Sequence, residues 1–431
     1  MKYYSLNRLS PDVNFERAVI NGIAPDKGLY FPKEIKSLPP EFFKNLQDYS
    51  NNEIAYQLIK QFVGKEIPEE DLRIIIEDTL CFDFPLVPVK ENSYALELFH
   101  GPTMAFKDVG GRFMARCLSY FKRNDRKEVT VLVATSGDTG GAVASGFLGV
   151  EGVNVVILYP SKKVSEVQEK QLTTLGQNIK ALEVKGTFDD CQAMVKNAFI
   201  DHEITSKIQL TSANSINVAR WLPQMFYFAF AYKQLTTKDK KLAVAVPSGN
   251  FGNICAGMMA QKLGLPIDQF IAANNANDVV TNYLLSGNYK ARPSVQTISN
   301  AMDVGDPSNF IRIQEIYHND FAQLKAHLVS YAFNDEETKA AMDHVYKKYH
   351  YILDPHGAVG YSGLEAFLKG KSDWQGIFLE TAHPVKFLDV VEPVIQKKID
   401  YPEQILAVID KEKKADFISS YSELKSFLLN E

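Results

Sequence analysis

The chain has 431 residues, 45% of them hydrophobic and 23% charged, with 52 acidic against 47 basic side chains for a net charge of -5. That length holds two or three domains and a large core, while the mixed, slightly acidic charge lacks the basic footprint that nucleic-acid phosphates need. No run of about 18 apolar residues marks a membrane span, and the opening MKYYSLNRLS has no apolar stretch for export, so a cytoplasmic protein is expected.

Residues 1–90 mix Pro-rich loops with two helical patterns and contain no strong parallel-strand run, and they are expected to form an N-terminal cap domain. Ile54, Leu58, Ile59, Phe62 and Val63 fall on one helical face; after Pro68, the acids Glu69, Glu70 and Asp71 suit the first turn of a second helix. Between the start and these helices, NGIAPDKGLYFP (21–32) is too rich in Gly and Pro for helix and reads as a loop. The cysteines, Cys81, Cys117, Cys191 and Cys255, are far apart and suit reduced core thiols; no structural metal is expected.

From residue 91 strands alternate with helices, the pattern of parallel sheets covered on both faces. A strand through Tyr94, Leu96 and Leu98 runs into ELFHGPTMAFKDVGG (97–111), and Lys107 stands where an amphipathic helix begins. Buried among Met104, Ala105 and Phe106, its amine would drop below the usual value of about 10.4 and could form a Schiff base with a carbonyl cofactor. The same stretch also reads as a helix start whose lysine snorkels to water. A second strand, 129–133, enters ATSGDTGG, with a small-residue helix expected from near Ala142. The hydroxyls of Thr135, Ser136 and Thr139, with free backbone N–H groups, would make an anion site there. Strand 153–158 leads to a helix with a Ser165-to-Gln168 capping-box spacing, and another helix spans 189–199.

In TSANSINVARW (211–221), Asn214, Ser215, Asn217 and Arg220 precede a very apolar helix, 225–232. They read either as an N-cap cluster with a surface arginine or as an oxyanion pocket in which Arg220 supplies the fork of donors. KLAVAVPSGNFGNICAGMMAQKLG follows as strand, glycine loop and helix, an order that cradles phosphate. It lacks the ending of a nucleoside-triphosphate loop and the three-glycine dinucleotide fingerprint, so a monophosphate fits better, and a tight turn with packing glycines remains the plainer alternative. Further strands are expected at 270–273 and 377–379, with a helical region at 335–350. The last strand ends in ETAHP, placing the Thr381 hydroxyl at a strand's carboxyl end, where open α/β sheets bind ligands. Asp354-Pro355-His356-Gly357 reads as a turn and helix cap, and His356 and His383 as structural before catalytic.

Together these stretches resemble the pyridoxal-phosphate enzymes of fold-type II, the tryptophan-synthase β family, and within it the threonine synthases of the bacterial and fungal kind. Thr103-Met104-Ala105-Phe106-Lys107-Asp108 fits that family's lysine motif, and NGIAPDKGLYFP, ATSGDTGGA, SANSINVAR, PSGNFGN and ETAHPVKF stand in the family's order. Asp138 departs from the wider family, which often has Asn there, and is usual in this branch. The resemblance implies an α/β fold of two open, mostly parallel sheet domains with helices on both faces beside the cap: 91–240 as the lysine segment and smaller mobile domain, 241–431 as the larger cofactor-binding domain with C-terminal helices. It implies pyridoxal 5'-phosphate on Lys107, its phosphate held by Gly249, Asn250, Phe251, Gly252 and Asn253, and Thr381 facing the ring nitrogen. Thr135, Ser136, Gly137, Asp138 and Thr139 would grip the substrate's α-carboxylate; Ser136, Asn214, Ser215, Arg220 and Asn250 would hold its phosphate. The implied reaction converts O-phospho-L-homoserine and water to L-threonine and phosphate, the last step of threonine biosynthesis, in a monomer or weak homo-oligomer. A serine/threonine dehydratase, or a phospho-lyase giving 2-oxobutyrate, is the rival.

Overall fold

The computed structural model describes residues 1–123 and 127–430. Near the N terminus β1 (Tyr3–Ser5) and β2 (Tyr30–Pro32) pair antiparallel. The strands β3 (Leu86–Lys90), β4 (Ser93–Glu97), β5 (Val129–Ala134), β6 (Val153–Pro160), β7 (Ile179–Val184) and β8 (Gln209–Thr211) follow, then β9 (Lys241–Pro247), β10 (Gln269–Asn274), β11 (Leu328–Ala332), β12 (Trp374–Glu380) and β13 (Asp416–Ile418). One sheet has six strands in the order β11-β10-β9-β12-β4-β3, parallel except for the β3–β4 edge. The other has five, all parallel, in the order β13-β7-β6-β5-β8. β5 and β9 are apolar on both faces and buried almost end to end, as strands covered by helices on both sides must be.

Pairing across the sheets cuts through the expected division of the chain. β4, just before Lys107, lies against β12 with Leu96 opposite Leu379, so the lysine segment hangs from the larger sheet. β13, in the tail, lies against β7 with Asp416 opposite Leu182, so the C-terminal segment completes the smaller sheet. Reading in chain order follows contiguity, whereas register is set by apolar partners remote in sequence. The N-terminal domain packs its helices directly on the rest of the chain. Leu58, Ile59, Phe62 and Val63 on the helix Asn51–Val63 and Leu72 and Ile76 on the helix Glu69–Thr79 join one continuous cluster with Phe113, Phe226, Phe230 and Val246. At about 1.5–3 kcal/mol for each large side chain buried, that contact fastens the N-terminal domain to the body of the fold.

The helix expected near Ala142 begins at Asp138 and runs to Phe147. Gly140 and Gly141 are poor helix formers, which delays the sequence-based start. Packing requires the small residue: a Cβ on Gly140 would lie 2.5 Å from Thr135 Cγ2. The strands β1, β2, β3, β7, β8, β11 and β13 are not anticipated, being short or, like β7 with its exposed Lys180, broken by charges; β2 is the end of the stretch 21–32 read as a loop, which pairs with β1. Cys117, Cys191 and Cys255 are buried thiols and Cys81 is exposed. The carboxyl ends of β5, β9 and β12 and the turn after β4 open into one cavity of about 1210 Å³, lined by Lys107, Ser136, Gly249, Arg220 and Thr381 among others.

Candidate active site

The turn that presents Lys107 is fastened from within. The Thr103 backbone N–H and hydroxyl both donate to the buried Asp108 carboxylate, at 2.9 and 2.5 Å, so the aspartate of the lysine motif is a structural clamp. Met104 takes φ 57°, in the left-handed region that non-glycine residues seldom occupy. The Phe106 N–H then donates to Thr381 O at 2.9 Å and the His383 N–H to Met104 O at 3.1 Å, stitching the Lys107 segment to the end of β12. Lys107 opens the helix Lys107–Lys122 with its side chain 17% exposed to the cavity. Burial lowers its proton affinity, Asp138 opposes that shift, and Lys386 and Arg220 add to it.

Opposite lies the glycine loop. Phe251, at φ 59°, turns the chain into the helix Gly252–Lys262, whose N terminus has no side-chain cap, so its leading N–H groups point at the cavity without a protein acceptor from the cap residue. Gly249 is obligatory on space: a Cβ there would lie 2.7 Å from Met302 Cα and 2.9 Å from Ala301 O. His356 holds that wall. Its Nε2 accepts from the Ala301 N–H at 3.2 Å, so the proton sits on Nδ1, 2.6 Å from Asp354 Oδ1. Asn253 accepts from the Tyr227 hydroxyl at 2.7 Å, and its Nδ2 is buried without a partner.

A second donor cluster faces the same space. Arg220 is 3% exposed, its Nη1 donates to Lys107 O at 3.3 Å and its Nε has no partner. Burial pushes it down to about 10, with Asp108 opposing. Gly111 leaves it room, since a Cβ there would lie 2.8 Å from Arg220 Nη1. Ser215 Oγ accepts from Asn250 Nδ2 and Asn309 Nδ2, both at 3.1 Å. Asn309 Oδ1 in turn accepts from Arg312 Nη1 at 2.7 Å, and Asn250 Oδ1 from the Ser308 N–H at 2.7 Å. Every amide in this chain has its orientation fixed, both Ser215 lone pairs are taken, and its O–H is left to donate to a cavity occupant. Arg312 is wholly buried against the Trp221 ring and donates to Tyr30 O, Ser215 O and Ile216 O as well.

Not every expected residue reaches the cavity. Ser136, Asp138, Thr139, Asn214, Ser215, Arg220, the residues 249–253 and Thr381 line it. Thr135 and Gly137 do not: the Thr135 hydroxyl is fully buried and accepts from the Gly137 and Gly140 N–H groups at 2.9 and 2.8 Å, closing the turn away from the cavity. The Asn250 side chain is held by Ser215 and Ser308, which uses its oxygen and one of its two N–H donors. His383 accepts from the Val385 N–H at 3.1 Å as a helix cap, and burial pushes its imidazole down to about 4. Among the described residues no His, Cys, Asp and Glu group could hold a metal ion, and no helix is long and apolar enough to cross a membrane.

The model of the pyridoxal-phosphate-dependent enzymes matches residues 82–375, that of the threonine synthase N terminus matches 2–80, and that of the threonine synthase C-terminal region matches 357–428. The threonine synthase of Haemophilus influenzae is 43% identical over 436 residues, covering 100% of both chains. The chain belongs to the threonine synthase family. The crystal structure of threonine synthase from Escherichia coli superposes with a TM-score of 0.94 at 40% identity over 100% of both chains. That of the Brucella melitensis threonine synthase with bound pyridoxal phosphate gives 0.92 at 34% identity, over 100% of this chain and 99% of that one. The fold is therefore that of the fold-type II enzymes and the cofactor of this threonine synthase family is pyridoxal 5'-phosphate. The residues present fit it. A buried lysine with lowered proton affinity suits an aldehyde, and an uncapped helix N terminus beside the unpartnered Asn253 Nδ2 suits a phosphate.

Sequence reasoning missed several residues of this site. Lys386 lies in the quoted ETAHPVKF yet was read as an ordinary motif position, and it is 2.6 Å from Asp138 Oδ1. Gln168, expected only as a capping-box partner, also donates to Asp138 Oδ1, at 2.9 Å. Burial alone would raise Asp138, but the Lys386 and Lys107 ammoniums hold it ionised far below the carboxylate range. Asn309 and Arg312 carry no local signal, since what they do depends on Ser215 being brought beside them.

Proposed function

We propose that this protein makes L-threonine and phosphate from O-phospho-L-homoserine and water in the cavity around Lys107. What carries the reading is a pair of unfilled buried donors, Asn253 Nδ2 and Arg220 Nε, on separate elements of the cavity that also holds Lys107. One amine thus stands between two anion sites, one for a cofactor phosphate and one for a phosphorylated substrate, and a dehydratase would have no use for the second.

Residues 249–253 and Thr381 would hold the cofactor, which when bound supplies an aldehyde for the amine and a sink for charge left on substrate carbon. Lys107, freed by the substrate's amine, would take the proton from Cα, pass it to the charge sink that the cofactor supplies and, neutral again, take one from Cβ. Arg220, the Ser215 hydroxyl and Asn214 hold the phosphate as it leaves Cγ, matching its charge with donors alone. Lys107 returns a proton to Cγ, water adds at Cβ, and a last proton to Cα completes threonine. Ser136 and Thr139, at the N terminus of the helix Asp138–Phe147, take the α-carboxylate. Because one chain supplies every one of these groups, we read the protein as a monomer or weak homo-oligomer, acting in the cytoplasm; light scattering of the purified chain tests the first point.

Cofactor-loaded protein is incubated with O-phospho-L-homoserine and the carbon product is identified alongside released phosphate. Threonine in equal amount to phosphate is the expected result, and 2-oxobutyrate in its place would reassign the chain as a phospho-lyase. Arg220→Ala should abolish turnover of the phosphorylated substrate.

A further inference from the structure

Lys386 is sealed in the wall behind the reactive amine. Its side chain is 0% exposed, against 17% for Lys107. A buried ammonium needs a counter-charge and hydrogen-bond acceptors. Lys386 finds both: Nζ is 2.6 Å from Asp138 Oδ1 and donates to Thr103 O at 2.8 Å. The other oxygen of the same carboxylate, Asp138 Oδ2, is 3.9 Å from Lys107 Nζ. Two lysine side chains therefore face one buried carboxylate unequally. Gln168 Nε2 further ties Oδ1 to the Lys386 side, at 2.9 Å. Among the described residues, the other charged or titratable groups facing this set are Arg220, which acts on Lys107, and Asp108 and His383, which lie within the field of Lys386.

We propose that Lys386 is a positioning residue of the active site: by holding Asp138 as its own counter-ion it denies Lys107 a contact ion pair and leaves that amine in the neutral form that attacks an aldehyde. Of the two lysines, Lys386 is the nearer to the carboxylate and closed to solvent, and it takes the contact ion pair. Lys107, farther away, is lowered by burial and by repulsion from Lys386 and Arg220, and it opens on the cavity. Neutral Lys107 attacks the aldehyde carbon of pyridoxal phosphate, a C=N bond forms, and the aldehyde oxygen leaves as water. This rests on the reading that Lys107 carries the cofactor.

The test uses the full chain freed of cofactor and follows the rate at which it captures added pyridoxal 5'-phosphate as a function of pH. Borohydride trapping and peptide mass identify the labelled lysine. In Lys386→Met, Asp138 is left to Lys107 and the midpoint of the pH–rate curve rises by about one unit or more, so capture at neutral pH slows about tenfold. Lys386→Arg keeps the wild-type midpoint. Asp138→Asn, with or without Lys386→Met, brings the midpoint to the wild-type value or below, which gives a readout even where Lys386→Met alone does not fold. An unmoved midpoint in Lys386→Met, or a rise that persists when Asp138 is also replaced, overturns the proposal. Wild-type label on a lysine other than Lys107 overturns the cofactor reading along with it.

Discussion

The hydrogen-bond chain around Ser215 makes a quantitative prediction about anion binding. Its hydroxyl accepts from Asn250 and Asn309 and is left to donate into the cavity. A hydrogen bond to a charged group is worth about 1.5–3 kcal/mol, so Ser215→Ala should weaken binding of inorganic phosphate to the cofactor-loaded protein by about 10- to 150-fold. Asn309→Ala removes one of the two anchors without stranding Arg312, whose Nη1 still donates to Ser215 O at 3.0 Å. The freed lone pair lets the Ser215 O–H turn away, an effect of about 0.5–1.5 kcal/mol or 2- to 10-fold. If Asn309 acts through Ser215, adding Asn309→Ala to Ser215→Ala should cost less than about twofold more. Phosphate inhibition constants for the four proteins of this cycle provide the assay. Multiplicative losses, or a Ser215→Ala effect under about threefold, would refute the reasoning from fixed donors.

Gly249→Ala places a methyl group 2.7 Å from Met302 Cα and 2.9 Å from Ala301 O, backbone atoms that cannot swing aside. Cofactor affinity by fluorescence titration should fall about tenfold or more, and a value within about twofold of wild type would mean the loop does not cradle the phosphate. Arg312→Met leaves Tyr30 O, Ser215 O, Ile216 O and Asn309 Oδ1 short of a donor. A loss of about 4 kcal/mol is expected, a large share of ordinary stability, and an unchanged urea midpoint would contradict it. His383 has its pKa lowered from 6.5 to about 4, so the unfolded chain binds the extra proton and stability falls as pH drops through that window. The loss reaches at most about 3 kcal/mol. His383→Asn, which keeps a helix-capping acceptor, should flatten the decline in urea midpoint between those pH values; an unchanged slope would place the titration elsewhere.

Local patterns reach far in this protein where the chemistry sits on short contiguous segments. The strand, glycine loop and helix from β9 onward, and Lys107 at a helix start, were legible because a turn's backbone demands and a helix's free N–H groups are set by neighbours in sequence. Helix caps such as Ser165 with Gln168, and Asp354 with His356, were legible for the same reason.

What tertiary structure decided is which polar groups still have something to bind. Thr135 and Ser136 look alike in sequence, yet one closes its own turn and the other opens on the cavity. Asp138 read as part of the loop gripping the α-carboxylate until the turn 384–387 brought a sealed Lys386 against it, leaving an ionised acceptor with no donor for another carboxylate, and Ser215 became an obligate donor only because the helix Phe310–Ile316 brought Asn309 beside it. The motifs, through their resemblance to a known family, pointed to the family and its cofactor and nominated Lys107 as the amine. The division of charge among Lys107, Asp138 and Lys386, and the direction of each hydrogen bond, were decided by the fold. A residue's proton and its free lone pairs depend on partners hundreds of positions away, which no local pattern contains.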